Sequence, residues 1–275
     1  MIDIHNHLLP SVDDGSKSVE ESLIILEELS KLDIKQIILT PHYVKESIYA
    51  SDNNEKNEKL TILKEELAKR KIGINLYSGN EVMIDEDIIK DIQNNKIATL
   101  NNSRYILVEF PHFENFANSK KVLKELISNG YVPILAHPER YTYHYKDIDF
   151  FISLVNEGVL LQCNLRSILG YYGKRAKEMI EELLKRNMVH LMATDIHRME
   201  EIEGIYQSIN KLKQQISEEK IKELLTTNAN KILNNEEIVQ SEIVERNSIE
   251  NIRSFNEFIK HIFRGRSTNE RSSSE

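Results

Sequence analysis

Two histidines separated by one residue, His5 and His7 in "MIDIHNHLLPSVDDG", stand almost at the start of the chain. Met1 to Ile4 alternates apolar and acidic residues like a short strand, and side chains two apart on a strand project from one face. Imidazoles so placed can grip a common object, such as a metal ion. An isolated H-x-H also arises by chance or as two surface imidazoles, so the rest of the chain must decide. Similar side chains recur: His42 follows "QIILT", Glu81 follows "INLYSG", Glu109 lies in "RYILVEF", His137 ends "YVPILAH", and Asp195 ends "VHLMATD" with His197 two residues beyond. Each alone has an ordinary explanation, with Glu109 or Asp195 as helix caps and His137 as a satisfied core imidazole. Together they place imidazole or carboxylate at the end of six of seven apolar runs, counting "IDIH" and the ligand-free "VLLQCN".

This donor set exceeds the needs of one tetrahedral ion, so more than one metal is implied, with a carboxylate such as Glu81 able to bridge. Imidazole and carboxylate without thiolate suit manganese, iron, zinc or cobalt better than calcium. Ions of this kind lower the pKa of bound water and act as Lewis acids.

Residues spread over almost two hundred positions need a fold that gathers strand ends. The apolar runs alternate with amphipathic stretches such as 18–32, where Ser18 and Glu21 form a capping-box signature and Val19, Leu23, Leu26 and Leu29 make one stripe. Such alternation predicts a parallel sheet, and runs apolar almost throughout predict one covered on both faces. No glycine-rich phosphate loop follows a strand, which disfavours the open nucleotide-binding sheets. The expected fold is an α/β barrel of about seven units, whose C-terminal strand ends meet at one mouth.

The 275 residues, 40% hydrophobic, can bury one large core. With 36 basic against 44 acidic residues and a formal charge of −8, the chain is not expected to bind nucleic acid. A single cysteine, Cys163, excludes a disulfide framework within the chain and points to the cytoplasm. The residue six positions after it is Leu169, not arginine, and Cys163 reads as a small buried strand residue. No run approaches the length of a membrane span. His190, inside a run, reads as structural, and His112, His144 and His261 have no placement at a strand end. The Asn/Lys/Glu-rich 51–58 reads as a loop or solvated helix start, and "RGRSTNERSSSE" as disordered. Residues 236–275 form an expected extension, in which 252–264 carries an amphipathic helix with Phe255, Phe258, Ile259, Ile262 and Phe263 on one face. That helix suits packing on the barrel or on another subunit, with an anionic membrane surface or a membrane-bound partner as the sharper alternative.

In order and spacing, "DIHNHLLPSVDDG", "LTPHY", "GNEV", "VEF", "LAHPERY" and "ATDIH" resemble the polymerase-and-histidinol-phosphatase (PHP) superfamily over residues 1–235. More narrowly they resemble the bacterial manganese-dependent protein-tyrosine phosphatases of capsule and exopolysaccharide operons. The resemblance implies a distorted (β/α)7 barrel of the PHP fold and three Mn2+ ions. One would be held by His5, His7, Glu81 and Asp195, a second by Glu81, Glu109 and His137, and a third by Asp14, His42 and His197. Asp14 adjoins Asp13, and spacing alone does not separate them. Arg140 of "HPERY" is implied as a phosphate contact. Related enzymes place a second arginine several residues beyond D-x-H, whereas here Arg198 adjoins His197 and acids follow, so Arg198 is the candidate substitute. The implied activity is hydrolysis of phosphotyrosine by a bridging hydroxide, on a bacterial tyrosine kinase of polysaccharide export, with the inner membrane face, reached through that partner, as an alternative location to the open cytoplasm. The alternatives are a histidinol-phosphatase-like enzyme, a PHP-type nuclease, and a non-catalytic docking protein whose metals are structural.

Overall fold

A computed structural model of the chain describes residues 1–244 apart from 51, 112–116 and 146. The helix expected over 252–264, His112 and His261 lie outside the described residues. In chain order the elements are β1 (Ile2–Asp3), α1 (Val19–Lys31), β2 (Gln36–Leu39), β3 (His42–Tyr43), α2 (Asn53–Arg70), β4 (Asn75–Ser78), β5 (Glu81–Met83) and α3 (Ile88–Gln93). There follow β6 (Tyr105–Glu109), α4 (Ser119–Ser128), β7 (Val132–Ala136), α5 (Ile148–Asn156), β8 (Leu160–Asn164), α6 (Lys174–Lys185), β9 (Leu191–Ala193), α7 (Ile202–Lys213), α8 (Glu218–Lys222) and α9 (Asn228–Leu233).

The strands pair in parallel as β1-β2-β4 and β3-β5-β6-β7-β8-β9. The two groups are one barrel. Gln36 pairs with Asn75 and His42 with Glu81, so the same register runs through β2 into β3 and through β4 into β5. The ring closes at its mouth, where Asn6 bridges Ile196 in parallel and the Asp195 N–H donates to the His5 carbonyl at 2.8 Å. Seven strand positions result, as expected for a (β/α)7 barrel.

The second and third runs differ from the unbroken strands their composition suggests. Each is interrupted, at Thr40-Pro41 and at Gly79-Asn80. Proline has no N–H to give to a ladder. The Pro41 carbonyl instead accepts from the Asn80 amide at 2.9 Å and from the Glu81 N–H at 3.2 Å. His42 and Glu81 each begin the short strand beyond such a joint.

Side chains alternate between two apolar clusters, as the period of two requires. Ile4, Ile38, Leu107, Ile134, Leu160 and Leu191 share one with Leu100, Ala229 and Ile232, which belong to the turn before β6 and to α9. Their neighbours Ile37, Leu39, Ile106, Val108, Leu135 and Leu161 pack with helix residues such as Leu26, Leu63 and Leu123. Ser18 caps α1 as predicted, accepting from the Glu21 N–H, but Glu21 reaches back to the Lys17 N–H. Of the stretch 51–58, Asn53 onward opens α2, and Asn53 and Lys56 are buried, so it is not wholly solvated. Among the described residues no helix is long and apolar enough to cross a membrane.

Candidate metal centre

The barrel mouth brings together His5, His7, Asp14, His42, Glu81, Glu109, His137, Asp195 and His197. Six of these are buried; the side chains of His42 and His197 are 18% and 21% exposed, and that of Asp14 is 50% exposed at the rim. Glu81 is central. Its Oε2 lies 3.1 Å from His5 Nε2, 3.3 Å from His7 Nε2 and 3.1 Å from His42 Nδ1, while its Oε1 lies 2.8 Å from His137 Nε2. Glu109 Oε1 faces His42 Nδ1 at 3.1 Å, and Asp195 Oδ1 lies 3.5 Å from His5 and 3.4 Å from His7. Four sets of donors each fall within 4.8 Å of one another: His5, His7 and Glu81; His5, His137 and Asp195; His42, Glu81 and Glu109; and His7, Asp14, His42 and His197. His7 thus stands beside the rim group as well as the inner one, and His42 beside Glu81 and Glu109, which the sequence does not show.

The chemistry of these atoms fits cations. Glu81 Oε2 and His42 Nδ1 are buried without a hydrogen-bond partner among the described residues. Orphaned lone pairs that face one another in a dry site are costly until a proton or a metal ion lies between them.

Asp13 and Asp14 separate clearly in space. Asp13 turns inward: Oδ2 sits 2.7 Å from His7 Nδ1 and accepts from the His42 N–H at 3.0 Å, while Oδ1 accepts from the Gly15 N–H. A carboxylate on Nδ1 fixes the tautomer and presents Nε2 to the centre. Gly15 is required there, because a Cβ would lie 1.9 Å from the His7 carbonyl oxygen. Asp14 Oδ1 points instead toward His42 and His197, at 3.7 and 3.6 Å. Asp13→Asn should weaken metal affinity about 10- to 100-fold, read by titration with a metal indicator; unchanged affinity would show that His7 needs no such support.

Several supporting residues escape a search for ligands. Gln162 Oε1 lies 2.7 Å from His5 Nδ1, Gln162 donates to Asn164, and Asn164 donates to Asp195 Oδ2 at 2.6 Å. Their signal is present in "VLLQCN", where polar residues at 162 and 164 alternate inside an apolar run. Lys56, with no comparable signal, donates to Asn80 Oδ1 at 2.5 Å behind Glu81, and burial lowers its pKa to about 7.

Four residues of "HPERY" are engaged: His137, Glu139, Arg140 and Tyr141. His137 adopts φ 36° and Asp195 φ 49°, a left-handed backbone that costs about 1–3 kcal/mol outside glycine and gathers at functional sites. Glu139 accepts from the Asn164 N–H and the Ser167 hydroxyl, and the Tyr141 hydroxyl donates to the Ala136 carbonyl and accepts from the Phe110 N–H. Arg140 Nη1 donates to Asp195 Oδ2 at 2.7 Å, its guanidinium carbon lies 4.5 Å from the Tyr172 ring centre, and its side chain is 24% exposed. Arg198 is exposed, its N–H donating to Glu201. The nearer second arginine is Arg166, buried against Glu201 at 2.9 Å and donating to the Asp195 carbonyl at 3.4 Å.

Charges across the mouth are strongly coupled. Burial raises the Asp195 and Glu81 carboxyls, but His5 leads the neighbours that overturn this and hold both well below the usual range. Burial also works against the imidazolium of His7, yet Asp13, Asp195 and Glu81 push it well above its ordinary value. Glu81 and Glu109 carry His42 up to about 9 against burial and His7. Burial, and then Glu81, raise Glu109, whereas burial and Arg140 bring His137 down to about 3.

The residues set aside also have plain roles. His190 Nδ1 accepts from the Leu161 N–H at 3.0 Å, His144 stacks on Phe150 and lies beside Asp147, and Cys163 is buried in β8.

A parallel barrel of seven strands with imidazoles and carboxylates gathered at its mouth defines the class: an α/β barrel with a candidate polynuclear metal centre. Residues 1–234 match the model of the family described as "Capsular polysaccharide synthesis, CpsB/CapC", and the chain belongs to that family. It is 37% identical over 197 residues to a Staphylococcus aureus protein carrying the CapC name, covering 72% of this chain and 77% of that one. It is 31% identical over 201 residues to the tyrosine-protein phosphatase YwqE of Bacillus subtilis, covering 72% and 78%. The fold matches, at TM-score 0.82 and 28% identity over 90% of this chain and all of the other, a structure from work on YwqE of Bacillus subtilis and CpsB of Streptococcus pneumoniae, described as metal-dependent tyrosine phosphatases.

Proposed function

We propose that this chain is a metal-dependent protein-tyrosine phosphatase of capsule or exopolysaccharide synthesis. The observation that carries it is Glu81, a buried carboxylate facing four imidazoles with one oxygen lacking a hydrogen-bond partner among the described residues, in a chain whose relatives bear the phosphatase name. His5, His7, Asp14, His42, Glu81, Glu109, His137, Asp195 and His197 would hold the ions, three Mn2+ on this reading, with iron, zinc or cobalt as substitutes. When bound, such ions supply Lewis acidity and a nucleophilic water near neutral pH.

The chain's own residues then bind and orient. Arg140, fixed between Asp195 and the Tyr172 ring and partly open to solvent, offers planar donors to phosphoryl oxygens and stabilises charge as the ester bond breaks. Asp13 and Gln162 hold the His7 and His5 rings in one orientation. Tyrosine leaves as a phenolate of pKa near ~10, so a strong general acid is less needed than for an alkyl ester. The substrate on this reading is a phosphotyrosine-bearing tyrosine kinase of polysaccharide export, met on the cytoplasmic side; residues 252–264 are a candidate contact with membrane or subunit.

Chelated protein should lose turnover of a phosphotyrosyl peptide and regain it with Mn2+, and should prefer that peptide to histidinol phosphate. Preference for histidinol phosphate would replace the substrate class, and equal turnover before and after chelation would reduce the metals to a structural role.

A further inference from the structure

Beside Arg140 the surface opens into a groove of about 450 Å³, between the turn after β7 and the start of α6. Its lining includes Arg140, Thr142, Tyr145, Tyr172, Lys174 and Arg175. Arg140 belongs both to the groove and, through Asp195, to the candidate metal centre, so the two adjoin at that residue. A groove of this size suits one or two side chains rather than a bulk interface.

The groove is cationic on a chain whose formal charge is −8. The exposed Arg175 guanidinium lies 5.1 Å from the Tyr145 ring centre, and the exposed Lys174 ammonium 3.6 Å from Glu178. Among the described residues three acids face Arg140, Lys174 and Arg175, and one of them, Asp195, is paired with Arg140 at 2.7 Å. Glu139 is buried and taken up by the Asn164 N–H and the Ser167 hydroxyl, while Glu178 is shared between Lys174 and the Tyr145 hydroxyl. Three cations thus line the groove, and the rings of Tyr145 and Tyr172 supply apolar wall. Lys174 and Arg175 also occupy the first turn of α6, which has no acid there and no side-chain cap. Cations at that end of a helix oppose its dipole; Lys174 is offset by its pair with Glu178 one turn on, whereas Arg175 is turned toward the Tyr145 ring.

The geometry points to this groove as the seat for residues that flank phosphotyrosine in the protein substrate, selecting an acidic side chain that pairs with Arg175. It rests on the phosphatase reading for the phosphotyrosine itself. With the phosphoryl group at Arg140, the neighbouring peptide enters the groove, its carboxylate meeting the Arg175 fork and its stem lying on Tyr145.

The test uses two peptides of one sequence, flanked by glutamate or by lysine, with the metal-loaded full chain. Non-hydrolysable phosphonate versions report binding and phosphotyrosyl versions report turnover. The glutamate peptide should bind about fivefold tighter, the advantage should appear in KM rather than kcat, and it should shrink as salt is raised. Arg175→Glu should reverse the preference and Arg175→Lys should keep most of it. Equal binding of the two peptides, or a preference untouched by Arg175→Glu, overturns the proposal. Charge-dependent binding without turnover upholds the groove and overturns the phosphatase reading, whereas turnover without charge preference does the reverse.

Discussion

Glu81→Gln should lower kcat/KM for a phosphotyrosyl peptide by at least ~10³-fold, about 4 kcal/mol of transition-state stabilisation, and should lower the metal content of the purified protein. The substitution is nearly isosteric, so the barrel should keep its fold, checked by circular dichroism and thermal unfolding. Its force comes from position. Glu81 meets His5, His7 and His42 through one oxygen and His137 through the other. An amide removes the charge and places an N–H₂ group against imidazole nitrogens that must present lone pairs to a cation. Full metal content with intact turnover in this variant would show that Glu81 is not the hub of the centre.

The metal-free and metal-loaded proteins should respond to pH in opposite directions. Without metal, His42 has a folded-state pKa of about 9 against 6.5 unfolded, raised by Glu81 and Glu109 despite burial and His7. A raised pKa gives stability fully present below pH 6.5 and lost as pH climbs through 9, on the order of 3 kcal/mol for this one group. His7, raised further by Asp13, adds to the same trend, and the two together exceed the opposite contribution of Lys56, whose pKa burial lowers to about 7. Metal binding requires those imidazoles neutral, so ions displace their protons and the stabilisation conferred by metal should grow as pH rises. Thermal unfolding of chelated protein should therefore weaken from pH 6.5 to 9 while the increment on adding Mn2+ increases. Calorimetry in buffers of different ionisation enthalpy should show proton release on binding. A metal increment that shrinks over that range would mean that other groups carry the coupling.

Alternating apolar runs and amphipathic helices are written in the sequence, and with them a parallel barrel, because burial on two faces leaves a simple one-dimensional trace. The sequence also placed the donors, since strand ends of a parallel barrel share one mouth whatever the loops do. His5, His42, Glu81, Glu109, His137 and Asp195 were legible as a set for that reason, and the His/Asp motifs carried the family resemblance.

Other features follow from packing between distant segments. Asp13 and Asp14 are adjacent carboxylates with the same local pattern, and only the packing of the turn against Gly15 sends one onto His7 and the other toward His42 and His197. The breaks at Pro41 and Asn80 depend on a side-chain bond between neighbouring strands, which a single strand's composition does not encode. The burial of Lys56 and Arg166 was invisible because charged residues are usually solvated, and whether one is buried depends on partners distant in sequence, here Asn80 and Glu201. The groove joining Arg140 to Arg175 is likewise a product of where α6 docks: local spacing sets which way a side chain points, but only packing sets what it points toward.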